Sequence, residues 1–163
     1  MNEIIVHCTA TPPQWMYNNS IEAKIIEVTR WHRARGFRTI GYHWIIDRDG
    51  TVAAGRPETE MGAHVKGHNM GTIGISLIGA AGAAATDEFN EHFTFAQRAA
   101  LADLIREISA RTNIKRVTGH NLYAAKGCPG FDVKKEFPWP PKKVQSKGLF
   151  ALLMEFIRGF IKS

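Results

Sequence analysis

The sequence predicts a single α/β domain, a central mixed β-sheet flanked by helices, with an amphipathic helix appended at the C-terminus. Three observations lead there. Short β-branched runs intermix with amphipathic helical stretches and show no regular repeat, which suits a mixed sheet with helices packed on it. The length of 163 residues supports one sizeable core and not two. Hydrophobic residues at 44% and charged residues at 22% are ordinary for a globular chain, and they exclude disorder, a coiled coil and a collagen-like repeat.

Ile4–Cys8 is a β-branched run followed by Thr11, Pro12 and Pro13, and it predicts a buried strand. Alternation places Ile4, Val6 and Cys8 on one face and Ile5 and His7 on the other, which argues against His7 and Cys8 serving one site. Ile21–Arg35 predicts a helix from the spacing of Ile21, Ile25, Val28 and His32, with Asn19 and Glu22 as a capping box and Gly36 as the stop. Gly41–Asp47 and Thr51–Ala54 flank Arg48-Asp49-Gly50, a hairpin signature. Ile73–Ile78, bracketed by Gly71 and Gly79, predicts a central strand. Gly79–Phe93 is rich in Ala, Gly and polar residues and predicts a loop. Thr94 and Gln97 form a capping box for a helix with the stripe Leu101, Leu104, Ile105 and Ile108. Ile114–Thr118 predicts a further strand.

The domain is expected to span 1–140, ending in Pro138, Pro140 and Pro141, followed by a basic linker at 141–147. Gly148–Ser163 carries Leu149, Leu152, Leu153, Phe156 and Phe160 on one helical face. About 15 residues at ~1.5 Å each reach roughly 22 Å, short of a ~30 Å hydrocarbon core. The stripe therefore predicts either docking on the domain or contact with an anionic membrane surface, not a span.

Lys and Arg number 21 against 15 Asp and Glu, a net charge of +6 that attracts nucleic acid, anionic lipid or an acidic cell-wall polymer. Two cysteines, Cys8 and Cys128, are too few for a disulfide framework. MNEIIVHC lacks the basic and apolar regions of a secretory signal, so synthesis in a reducing cytoplasm is expected.

His7, His120 and Cys128 are the residues best suited to chemistry. Two imidazoles and a thiolate satisfy three corners of a zinc tetrahedron and leave the fourth for water. The spacing His120-x7-Cys128 is not a zinc-finger pair, and on residue chemistry alone a strand histidine and a loop cysteine filling the core is the plainer reading. Lys126 and Tyr42 have plain surface and strand readings as well. His32 and His43 read as structural, His68 and His92 as solvated, Trp31 and Trp44 as core, and Trp15 as a groove residue.

The segments IIVHCTATPP (4–13), WHRARGFRTIGYHWIIDRDGTVAAGRP (31–57), GAHVKGHNMGTIGISLIG (62–79), FTFAQ (93–97) and GHNLYAAKGCPGFDV (119–133) occur in order. Together they resemble the zinc amidases of the bacteriophage T7 lysozyme type, N-acetylmuramoyl-L-alanine amidases related to bacterial amidases and animal peptidoglycan recognition proteins. The ordered set reverses the weighting. The resemblance implies zinc (Zn2+) ligated by His7, His120 and Cys128, catalytic roles for Tyr42 and Lys126, and substrate contacts at His64 and Asn69. It implies a phage endolysin that hydrolyses the amide between N-acetylmuramic acid and L-alanine in peptidoglycan, made in the host cytoplasm and reaching the wall after release. A non-catalytic peptidoglycan-binding module is the alternative. The resemblance also raises a phage RNA polymerase as a second partner, although the basic residues are scattered and lack a helix-turn-helix or RNA-recognition signature. A monomer is the expected state.

Overall fold

The computed structural model describes residues 1–141, so the predicted linker and C-terminal helix lie outside the described residues. Strand β1 (Glu3–Cys8) pairs in parallel with β4 (Thr72–Leu77) on one side and β5 (Arg116–Gly119) on the other. Strand β2 (Trp44–Ile46) extends the sheet in parallel from β4, and β3 (Val52–Ala54) closes the edge antiparallel to β2. The order is β3-β2-β4-β1-β5. This is the mixed sheet that the sequence predicts.

Alternation along the strands divides the core in two. Ile4, Val6, Ile46, Ile73, Ile75 and Leu77 face helix α3 (Phe95–Arg111), where Leu101, Leu104, Ile105 and Ile108 meet them. Ile45 points the other way, toward helix α1 (Ile21–Ala34), and packs with Ile21, Val28, Ile40 and Ile78. His7 shares this second face, so it is the α1 side of the sheet that carries the site.

Two buried polar side chains lock the helices to the strands. Lys24, on the buried stripe of α1, pairs with Asp47 at the end of β2 at 2.6 Å. Gln97 is fully buried, and its Nε2 donates to Ile46 O at 3.3 Å and Ile78 O at 3.0 Å. These carbonyls sit just where two strands end, and the amide satisfies them.

Several predicted boundaries shift. The N-cap of α1 is Ser20, whose hydroxyl accepts from Ala23 N at 3.4 Å, and not Asn19. The hairpin strands are shorter than expected because Gly41–His43 bond to other segments: Gly41 N to His32 and His43 N to Gly74 O. The predicted loop 79–93 contains a one-turn helix, α2 (Phe89–His92), held by a Glu88–Glu91 capping box. No helix among the described residues is long and apolar enough to cross a membrane.

Candidate metal centre

The C-terminal ends of β1 and β5 lie side by side, and each delivers a histidine. His7 is the penultimate residue of β1; His120 opens the single 3-10 turn (His120–Leu122) directly after β5. Their ring centroids are 4.7 Å apart. The chain then loops back to place Cys128, and a short helix α4 (Val133–Glu136), capped by Asp132, ends the excursion.

The loop is anchored at both ends. Near its start the Tyr123 hydroxyl and Thr118 Oγ1 both donate to the buried carboxylate of Glu3, which also pairs with Arg116 at 2.7 Å. Further along, Gly127 lies so close to the Ala83 carbonyl that a Cβ there would fall 1.9 Å from the oxygen. Only glycine allows this approach.

One ligand atom each from His7, His120 and Cys128 lies within 4.8 Å of the others. Nδ1 of His7 faces Cys128 Sγ at 3.9 Å, and the Cys8 backbone N–H donates to the same sulfur at 3.3 Å. Alternation does turn the Cys8 side chain toward the α3 core, as expected. Its backbone and thiol nonetheless border the sulfur of Cys128, because the loop wraps round the end of the strand. The expectation that Cys8 stands apart from the site of His7 is corrected in that respect.

The electrostatics keep the imidazoles neutral. Burial, then the neighbouring His64 and His120, hold His7 well below its ordinary range; burial and then Lys126 lower His120. Contact with Cys8, then burial, pushes the Cys128 thiol up, while Lys126 acts in the opposite direction. Burial, then the two cysteines, also raises the Tyr42 phenol, against which the Ser76 hydroxyl works.

A cavity of about 650 Å³ opens over this cluster, bordered by Tyr42, His120, Lys126 and Cys128. The Tyr42 ring lies 5.1 Å from that of His7 and 5.1 Å from that of His32. Tyr42 and Lys126 thus share one wall system with the candidate ligands. His64 and Asn69, expected as substrate contacts, also border the cavity, but both His64 ring nitrogens and the Asn69 side-chain oxygen are engaged with the protein. His64 Nδ1 is 3.0 Å from His7 Nε2, and Asn69 Oδ1 accepts from His64 N and Val65 N, both at 2.8 Å. His32 and His43 are structural: Nδ1 of each accepts a backbone N–H, from Gly41 and Gly74 respectively. His68 is exposed as expected, with one ring face near Tyr123, whereas His92 is half-buried and bonds Asp87 at 2.8 Å. Trp31, stacked on Trp15, is the tryptophan that lines the cavity.

Sheet, ligand cluster and cavity define a hydrolase of the amidase class, and the chain belongs to the N-acetylmuramoyl-L-alanine amidase family, whose model matches residues 1–131. It is 39% identical over 132 residues to the endolysin of Escherichia phage T7, covering 81% of this chain and 82% of that one. To the endolysin of Klebsiella phage KP32 it is 38% identical over 134 residues, covering 82% and 83%. Among solved structures, the N-acetylmuramoyl-L-alanine amidase LysC from Clostridium intestinale URNW superposes with a TM-score of 0.65 at 30% identity, covering 83% of this chain and 81% of that chain. A chain of the peptidoglycan recognition protein LCa–LCx ectodomain complex, bound to tracheal cytotoxin, superposes with a TM-score of 0.68 at 30% identity, covering 86% and 82%.

Proposed function

We propose that this protein is a zinc-dependent endolysin that hydrolyses the amide joining N-acetylmuramic acid to L-alanine in bacterial peptidoglycan. The observation that carries the reading is the convergence of His7, His120 and Cys128 on the edge of an open cavity. The donor set fits zinc: two imidazoles held neutral, hence with free lone pairs, and one sulfur that a coordinated cation would strip of its proton. When bound there, zinc polarises the scissile carbonyl and makes a water acidic enough to attack near neutral pH.

The chain's own residues supply the remainder. Lys126 sets a positive charge beside the place where the carbonyl oxygen gains charge, which favours the transition state over the ground state. Tyr42 keeps its proton because burial raises its phenol, so it serves as a hydrogen-bond donor to the reacting group and not as a standing base. Among the described residues the lining includes the cations Arg35, Lys66 and Lys126 and no carboxylate, which suits a stem peptide bearing carboxylates.

Wall digestion should release new L-alanine amino termini, stop on EDTA treatment and resume on adding zinc. Cys128→Ala should lose both zinc and turnover; a variant retaining both would overturn the assignment. Tight wall binding with stoichiometric zinc and no released amine would instead favour the binding-module reading.

A further inference from the structure

We propose that His64 is a positioning residue for the metal centre: its Nδ1 accepts the Nε2–H of His7 and so fixes the tautomer that turns a bare Nδ1 toward Cys128. This rests on the metal reading above and extends it to a residue that does not itself ligate.

The direction of the bond follows from Thr72. Its single hydroxyl proton is committed to backbone carbonyls, His68 O at 2.9 Å and Asn69 O at 3.0 Å. Only lone pairs remain for His64 Nε2, 3.4 Å away, so that nitrogen carries hydrogen. A neutral imidazole has one N–H, which leaves His64 Nδ1 bare. Across the 3.0 Å contact His7 Nε2 must then donate, and His7 Nδ1 is free toward Cys128 Sγ at 3.9 Å. The reverse arrangement would put hydrogen on His7 Nδ1, where it blocks a cation. The His64 ring is buried, and its ring nitrogens meet only Thr72 and His7 among the described residues, so no anion is there to pair with a second ring proton.

The fold commits several groups to placing this ring. The two imidazoles meet edge to face, at 5.0 Å and 84°. A Cβ on Gly74 would lie 2.6 Å from His64 Cγ and Cδ2, and one on Gly62 would lie 2.5 Å from Cδ2, so two glycines form a slot that only the ring fills. Asn69 fixes the backbone by accepting from His64 N and Val65 N. Partners of this kind orient a metal-ligating histidine and fix which nitrogen is bare.

The test uses the full chain loaded with zinc and ¹⁵N-labelled at histidine. Long-range ¹H–¹⁵N correlation should show His7 protonated at Nε2 and metal-bound at Nδ1; the opposite assignment overturns the proposal. Chelator competition should show zinc held about 10–100-fold more weakly by His64→Phe, which fills the slot without an acceptor. His64→Asn, which returns an acceptor near the position of Nδ1, should recover most of that loss. Unchanged affinity in a folded His64→Phe overturns the proposal, and if that variant does not fold, the tautomer of the wild type decides. A wild type that takes up no zinc would sink the metal reading itself, a result distinct from zinc bound on the wrong nitrogen.

Discussion

Lys126 and Tyr42 both line the cavity over the candidate metal cluster, and a Lys126 variant isolates the contribution of charge. Lys126→Ala leaves the three candidate ligands in place, so zinc content should hold while kcat falls about a hundredfold, as for loss of one transition-state donor. Steady-state kinetics on solubilised wall, with metal analysis of the same preparation, checks this. Gly74→Ala attacks the site from beneath, since its methyl would meet the His64 ring at 2.6 Å. A stability loss of about 1–3 kcal/mol is expected from such overpacking, measured by denaturant titration. The motif residues were legible in the sequence because each sits in a short recognisable segment. The link from His64 to His7 was not, since the two are 57 residues apart and His64 reaches His7 from the loop before β4, its ring lying against Gly74.

At the level of elements, the capping box of α3 and the central strand β4 follow directly from local pattern. Gln97 shows where local pattern stops. Its Oε1 accepts from Thr94 N at 3.2 Å, the expected capping contact, while its Nε2 holds two strand ends. Lys24 is a second case: it stands on the buried stripe of α1, and its partner Asp47 lies 23 residues on. Both groups of that pair are nearly inaccessible, with side chains 6% and 8% exposed. Lys24→Met therefore leaves a buried carboxylate uncompensated and should cost about 3–5 kcal/mol by thermal or denaturant unfolding, whereas the exposed pair Arg106–Asp103 should contribute almost nothing measurable. The site-bearing loop after β5 was placed by its motif, but its anchoring to Glu3 and Ala83 depends on contacts across the whole chain.

Taken as a whole, the molecule should lose stability in acid. His7, His32, His43, His64 and His120 are all lowered, with burial the leading cause in each. An unfolded histidine titrates near ~6.5. Below that value the unfolded chain binds protons that the folded chain refuses, so stability is full above it and falls as the pH drops. The window runs from about 6.5 down to about 4 for His32 and about 3 for His64. Each group steepens the fall by up to about 1.4 kcal/mol per pH unit. Melting midpoints followed from about pH 7.5 to about pH 4.5 should decline steeply, and His32→Gln, which keeps an acceptor for the Gly41 N–H, should flatten the curve. A midpoint indifferent to pH in this range would contradict the account.

His7 and Cys128 meet although they stand 121 positions apart in the chain. During translation, then, the first strand waits for nearly the entire polypeptide before its partner sulfur leaves the ribosome. No fragment ending short of that cysteine can bring His7, His120 and Cys128 together. The candidate ligand set is complete only with the last stretch of the described residues, an order of assembly written into the chain's topology.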